Sequence, residues 1–121
     1  MAKLTEEVKT AIGTIRPAFV ATASKAGKPN VSAKGSLRVI DYEHVVFSDI
    51  NSPRTIANIK ENPQVAITCM DTTTRKGCRI WGTGEIISSG EVFDQTAAEL
   101  VKRNMKLKNL VKVTVEKAEN S

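Results

Sequence analysis

Aromatic residues are scarce in this chain of 121 residues: one Trp, one Tyr and three Phe make up 4% of it. Proteins that hold single-stranded nucleic acid stack its bases on aromatic side chains, so this scarcity argues against that role. Histidine occurs once, as His44, and cysteine twice, as Cys69 and Cys78. A lone histidine without a neighbouring carboxylate cluster leaves no metal centre, and two cysteines at this spacing fit neither a zinc motif nor a disulfide framework. Neither a Ser-His-Asp nor a Cys-His set is available for nucleophilic catalysis, so no catalytic side chain and no metal ligand is nominated. No apolar run approaches the roughly 18 residues that span a bilayer. Residues 1–10 mix Lys with Glu, where a signal peptide would show a basic start and an apolar stretch. The expectation is a cytoplasmic protein with reduced thiols and no membrane partner.

What is present is the composition of a globular domain, with 40% hydrophobic and 26% charged residues. The length predicts one domain over residues 1–121. Lys and Arg number 18 against 13 Asp and Glu, a formal charge of +5. That balance points to anionic partners, either nucleic acid or small phosphorylated molecules. The basic residues are spread over Arg75, Lys76 and Arg79, and over Lys102, Arg103, Lys106, Lys108 and Lys112, a pattern that favours a solvated basic surface over a nucleic-acid patch.

Thr5 before Glu6 and Glu7 predicts a capped helix ending at Gly13. A small-residue strand over 18–24 follows, then a turn, Lys25-Ala26-Gly27-Lys28, suited to a hairpin. A second strand is predicted over 29–40, with a bulge or close backbone approach at Lys34-Gly35-Ser36. The Asp41-Tyr42-Glu43 turn leads into a third strand over 44–49, which His44 opens. Ser52 and Pro53 start a helix that Asn62-Pro63 stops. Strands over 64–70 and 78–88 place Cys69 and Cys78 across a hairpin as a reduced core pair. The segment 91–104 puts Val92, Phe93, Thr96, Ala97, Leu100 and Val101 on one helical stripe. A strand over 110–115 closes the chain. Six strands with short connections and two or three helices predict an α+β fold around a small antiparallel barrel.

Two stretches carry chemistry. In Phe47-Ser48-Asp49-Ile50-Asn51-Ser52-Pro53-Arg54-Thr55 a strand ends where a helix begins, and a helix start offers free N–H groups and partial positive charge to an anion. Ser52 and Thr55 add hydroxyls, and the Arg54 guanidinium can grip two phosphate oxygens at once. An ordinary cap with a surface arginine accounts for the same residues. The second stretch, Asn30 to Arg38, places Ser32, Lys34, Gly35 and Ser36 in a strand that should be well packed. It is either a solvent edge or a wall that hydrogen-bonds a polar ring. The short turn at Asp41 makes strands two and three neighbours with their ends close together.

In this arrangement the sequence resembles the pyridoxamine 5'-phosphate oxidase-like proteins with the FMN-binding split barrel. The residues that carry the resemblance are Gly27-Lys28-Pro29-Asn30-Val31-Ser32-Ala33-Lys34-Gly35-Ser36, then Val45-Val46-Phe47-Ser48-Asp49 and Ser52-Pro53-Arg54-Thr55. Asn58 to Ile67 and Lys76 to Ile86 resemble the family's helix-to-strand segment and its long fifth strand. The likeness covers residues 5–115.

It implies a six-stranded split β-barrel that forms a homodimer, with FMN at each end of the subunit interface. Arg54 and Thr55, helped by Ser52, would hold the flavin phosphate. Lys34, Gly35, Ser36 and Leu37, with Ser48 and Asp49, would line the ring and ribityl chain, and Ser32 and Phe47 belong to the same two stretches. Arg79 and Trp81 match a region that approaches the flavin of the partner subunit; a core Trp and a surface Arg are the alternative. The oxidase for which the family is named carries a C-terminal extension with substrate-binding residues, whereas this chain stops at Glu119-Asn120-Ser121. The expectation is therefore a short flavoprotein member. Such a protein would pass electrons from a reduced nicotinamide or protein donor to a small acceptor, or serve as an electron carrier or flavin store. Haem or a deazaflavin could take the same pocket. A small basic barrel that binds nucleic acid is the remaining alternative.

Overall fold

The computed structural model describes residues 4–120. Three helices and seven strands follow one another as α1 (Glu6–Thr14), β1 (Ala18–Ala23), β2 (Pro29–Lys34), β3 (Arg38–Val39), β4 (His44–Asp49), α2 (Pro53–Glu61), β5 (Gln64–Met70), β6 (Gly77–Ile87), α3 (Glu91–Val101) and β7 (Asn109–Asn120). The predicted α+β class and antiparallel pairing hold, with one strand more than expected. The predicted 29–40 strand is broken at Gly35, Ser36 and Leu37 into β2 and β3. These two do not pair: the sheet order is β2-β1-β5-β6-β7-β4-β3, so they form its opposite edges.

That order dictates a closed shape. A flat sheet of seven strands would hold its edges about 29 Å apart at ordinary strand spacing. The four Cα steps from Lys34 to Arg38 reach at most about 14 Å. The sheet must therefore curl until its edges nearly meet, leaving a seam that residues 35–37 cross. Ser36 Oγ accepts the Ser48 N–H across this seam at 2.9 Å, and Arg16 Nε donates to the Gly35 carbonyl at 3.1 Å, which fixes the crossing from the α1 side.

Curling requires close approach within the long strands. The β6–β7 register shifts between Trp81 and Gly82, and a Cβ at Gly82 would lie 2.3 Å from the Thr114 carbonyl oxygen, so only glycine fits there. At the β1–β2 hairpin Gly27 takes φ 87°, which glycine adopts without steric cost.

The inner face is filled by Val20, Val45, Phe47, Ile67, Ile80, Val111, Val113 and Val115, plugged by Val8 and Ile12 of α1 and by Ile56 and Ile59 of α2. Thr5 caps α1 as predicted, its side chain accepting from Val8 N–H at 3.3 Å. A second cluster, Val46, Leu100, Leu107 and Leu110, lies under α3, so β4 is buried on both faces. The α3 stripe is narrower than the sequence predicts: Thr96 and Leu100 are buried, whereas Val92 and Val101 remain exposed. No helix among the described residues is long and apolar enough to cross a membrane.

Candidate functional site

The site grows from the seam. Because side chains alternate along β2, Asn30, Ser32 and Lys34 face α2 while Val31 and Ala33 face away. Ser32 Oγ meets Thr55 Oγ1 at 3.2 Å, and Lys34 Nζ donates to Ser52 Oγ. Ser52 is the predicted cap of α2, but its hydroxyl makes no capping bond because it serves Lys34. Two cavities flank this helix start. One, of about 530 Å³, is lined by Ser32, Lys34, Gly35, Ser36, Ser48 and Ser52 on the seam side and by Leu100, Arg103 and Met105 from the end of α3. The other, of about 330 Å³, holds Arg54 with Lys28, Asn30, Asn58 and Ser24.

The seam side of the groove is basic. Lys34 is buried to 9% exposure, with its ammonium 5.7 Å from the centre of the Phe47 ring. Burial pushes its pKa below the usual lysine value, while the charge of Asp49 opposes that shift. Asp49 is engaged elsewhere: its carboxylate accepts the Ser52 N–H at 2.8 Å and Asn109 Nδ2 at 2.9 Å. It therefore sets the start of α2 and is not a free ligand. Among the described residues no carboxylate pairs with Lys34, Arg54, Lys28 or Arg103 within salt-bridge distance.

Apart from Asp49, the nominated residues divide into four groups. Ser32, Lys34, Gly35, Ser36, Ser48 and Ser52 share one groove, and Arg54 occupies the adjoining cleft. Leu37 and Phe47 belong to the hydrophobic interior and support the groove from within. Thr55 is 1% exposed with its hydroxyl on Ser32, so it offers an incoming anion only its backbone N–H. Arg79 and Trp81 lie on the outer face of the sheet in a small hollow with Phe19, Ala21, Val31 and Ala66, apart from the seam of their own chain. Lys117 stacks its ammonium 5.2 Å from the Trp81 ring.

Lys28, Asn58, Arg103 and Met105 were missed by sequence reasoning: Arg103 and Met105 are remote in sequence from the motifs they join, whereas Lys28 and Asn58 stand two and four positions from Asn30 and Arg54. Lys28 had a readable signal as a cation within the Gly27–Ser36 stretch, and Arg103 stands beside Asn104, a residue type that ends helices. His44 opens β4 as expected and pairs with Asp41 at 2.8 Å in the turn before it. Cys69 and Cys78 do face each other across the β5–β6 hairpin, with sulfurs 3.5 Å apart and both free. No group of three or more metal-ligating side chains occurs among the described residues.

A curled antiparallel sheet whose seam carries a basic cleft beside a polar groove defines a small split barrel. The chain belongs to the pyridoxamine 5'-phosphate oxidase family, whose model matches residues 4–121. An uncharacterised protein of Methanocaldococcus jannaschii is 36% identical over 98% of this chain and 80% of its own length. HupZ of Group A Streptococcus superposes with a TM-score of 0.88 at 28% identity, over 97% of this chain and 93% of that one. An FMN-binding protein of Syntrophomonas wolfei shares the fold with a TM-score of 0.85 at 20% identity, over 95% and 84% of the two chains. The heme storage protein HutZ of Vibrio cholerae shares it at a TM-score of 0.67 and 22% identity, over 98% and 94%.

Proposed function

We propose that this chain is a flavoprotein that binds FMN and works as an oxidoreductase, passing electrons from a reduced nicotinamide or protein donor to a small acceptor. The observation that carries this reading is the pairing of the Arg54–Lys28 cleft with the Lys34 groove at the start of α2. FMN is a phosphate monoester on a polyhydroxyl chain ending in a flat polar ring. The Arg54 fork, the Lys28 ammonium and the free N–H groups of the first α2 turn suit the phosphate. Ser36, Ser48 and Ser52 supply hydroxyls for the chain and ring, and Gly35 lets a ring approach the backbone. Lys34 offers a positive charge suited to the electron-rich ring oxygens. Both volumes fall within the ordinary range for small-molecule pockets, about 300–1,000 Å³ in all.

FMN bound there supplies the electron-transfer chemistry, so the chain's own part is to bind, orient and exclude water. That division agrees with the groove lining, in which Lys34 and Arg103 are the only Lys, Arg, His, Cys or carboxylate side chains. The same lining favours a second reading, an electron carrier or flavin store with no turnover.

The reading includes a homodimer. On the outer sheet face Phe19 is 45% and Val31 65% exposed, alongside Ala21, Ala66 and Trp81, an apolar patch of the kind proteins cover with a partner. A second copy there would bring Arg79 and Trp81 toward the partner's seam. The test is the visible spectrum of the purified protein, repeated after FMN titration, with release and identification of any chromophore. Flavin bands at one FMN per chain support the proposal; a haem or deazaflavin chromophore, or no uptake of FMN, overturns it. Oxidation of reduced nicotinamide with added acceptors then separates enzyme from carrier.

A further inference from the structure

The β5–β6 hairpin carries an arrangement that the proposed function does not use. Cys69 and Cys78 are directly opposed in the antiparallel register, and their sulfurs stand 3.5 Å apart. Both belong to the hydrophobic interior, under α1. Opposed residues of an antiparallel pair hold their Cα atoms about 4.5–5.5 Å apart, inside the roughly 4.4–6.8 Å that a disulfide spans. The strands are fixed at this point. The Thr68 hydroxyl donates to the Cys78 carbonyl at 3.1 Å, and a Cβ at Gly77 would run into the Cys69 carbonyl oxygen. Bringing the sulfurs to the ~2.0 Å of a covalent bond therefore needs side-chain rotation and no change of register.

The bonds around the pair give the two thiols different parts. Cys69 donates its S–H to the Ala11 carbonyl at 3.8 Å, so the bond between the sulfurs takes its proton from Cys78. Cys78 keeps that proton, because burial and the neighbouring sulfur push its thiol up to about 12. Cys69 also lies close to open space. Ala11 lines a cavity of about 700 Å³ together with Thr10, Thr14, Lys76 and Gly77, so this residue of α1 stands between the Cys69 sulfur and the cavity. The Ala11 carbonyl accepts the Ile15 N–H at 2.9 Å as well, and stays paired when the thiol leaves it.

We infer that Cys69 and Cys78 form a redox site that a peroxide closes to a disulfide within the chain, locking β5 to β6, with α1 as its gate. While reduced, the pair fills the interior, and α1 must loosen before an oxidant meets it. The Cys69 sulfur then attacks a peroxide oxygen, the O–O bond breaks, and Cys69 becomes a sulfenic acid as a first water leaves. The Cys78 sulfur attacks that of Cys69 and gives its proton to the departing hydroxyl, which leaves as a second water. Two thiols and one hydrogen peroxide thus yield one disulfide and two waters. The sulfurs lose two electrons and the peroxide oxygens gain them. The flavin reading plays no part in this step.

The experiment treats the whole folded chain with hydrogen peroxide, quenches it in acid, alkylates any remaining thiol in denaturant and maps the tryptic peptides by mass. Cleavage after Arg75 and Lys76 separates the two cysteines, so the disulfide shows as a joined pair of peptides. The expected result is that joined pair, lighter by two hydrogens than its parts, in a chain that still runs as a monomer on a non-reducing denaturing gel and that dithiothreitol returns to two free thiols. The urea midpoint of the oxidised chain should lie above that of the reduced one, because the cross-link restricts the unfolded state. Thr5→Ala removes the α1 cap and leaves both thiols in place. It should speed closure about fivefold, the gain in opening expected from one lost cap. In Cys78→Ser the Cys69 peptide should gain oxygen, with no partner to join. Free thiols that survive a peroxide exposure sufficient to consume those of the urea-unfolded chain would overturn the inference. So would disulfides between chains, oxygen on the wild-type cysteines in place of the joined pair, a lowered urea midpoint, or a closure rate that Thr5→Ala leaves unchanged.

Discussion

Two places in this molecule bury chemically distinctive side chains, and they do so to opposite effect. At the seam Lys34 is 9% exposed; at the β5–β6 hairpin Cys69 and Cys78 are 1% and 0% exposed. The cysteines lie under α1, with Cys69 Sγ 3.8 Å from the Ala11 carbonyl, and burial together with the neighbouring sulfur pushes the Cys78 thiol up to about 12. At neutral pH the Cys78 thiol stays protonated, and the buried pair acts as apolar filler. Lys34 sits at the wall of an open groove, its charge resisted by burial and met directly by the Ser52 hydroxyl, with Asp49 beyond salt-bridge distance. Depth of burial is similar in the two places. What marks the seam as a candidate site is an unneutralised charge bordering empty volume.

The largest expected effect breaks the seam and spares the hairpin. Arg54→Ala should weaken FMN binding on the order of 100-fold, about 3 kcal/mol for a bidentate charge-assisted contact, with stability within about 0.5 kcal/mol because the side chain is exposed. Fluorescence quenching and urea unfolding measure the two quantities. Equal FMN affinity in the variant would remove Arg54 from the site.

A pair of substitutions should then separate binding from packing. Cys78→Ser puts an extra polar demand into a fully buried position and should cost about 1–3 kcal/mol of stability while FMN affinity stays put. Lys34→Met should do the reverse. It removes a buried charge of similar shape, so stability should stay within about 1 kcal/mol of wild type, and FMN affinity should fall about tenfold. If both variants lost stability alone, the seam would be another piece of interior and the comparison would fail.

Lys34 also sets a pH dependence. Its folded pKa lies below the unfolded value of 10.5, so between the two values the unfolded chain binds more protons and stability rises with pH. Anion affinity should decline over that same window as the ammonium is lost. In Lys34→Met the rise in stability should vanish from urea unfolding across alkaline pH, and in Lys34→Arg, always charged, the decline in affinity should vanish too.

The seam was only half legible in the sequence. β4 and β5 could be read to the residue, because β-branched runs bounded by turn and Asn-Pro signals leave little choice. The stretch around Lys34 was recognisable as polar where packing was expected, but a bulge within one strand and a break between two sheet edges look alike locally. Which one occurs is decided by β1 and β4, the partners on either side of the break. Ser52 was rightly placed at the helix start, yet its hydroxyl goes to a lysine 18 positions away, which no local pattern encodes. Arg103 is brought in by chain closure alone.

The smallest effect lies at the turn before β4 and isolates the alkaline behaviour of Lys34. The Glu43 N–H, bonded at 2.8 Å, holds the Asp41 carboxyl below its usual value, with His44 adding to the shift. A carboxyl with a depressed folded pKa contributes stability above the ordinary value of 3.8 that is lost as pH falls through the folded one. Asp41→Asn keeps an oxygen for Glu43 and removes the charge, so it should flatten the acid limb of the stability profile by less than about 1 kcal/mol, the usual worth of an exposed pair. The alkaline rise must persist in that variant. If it disappeared, the two limbs would share one cause, and the slope assigned to Lys34 would belong to the net charge of the whole chain.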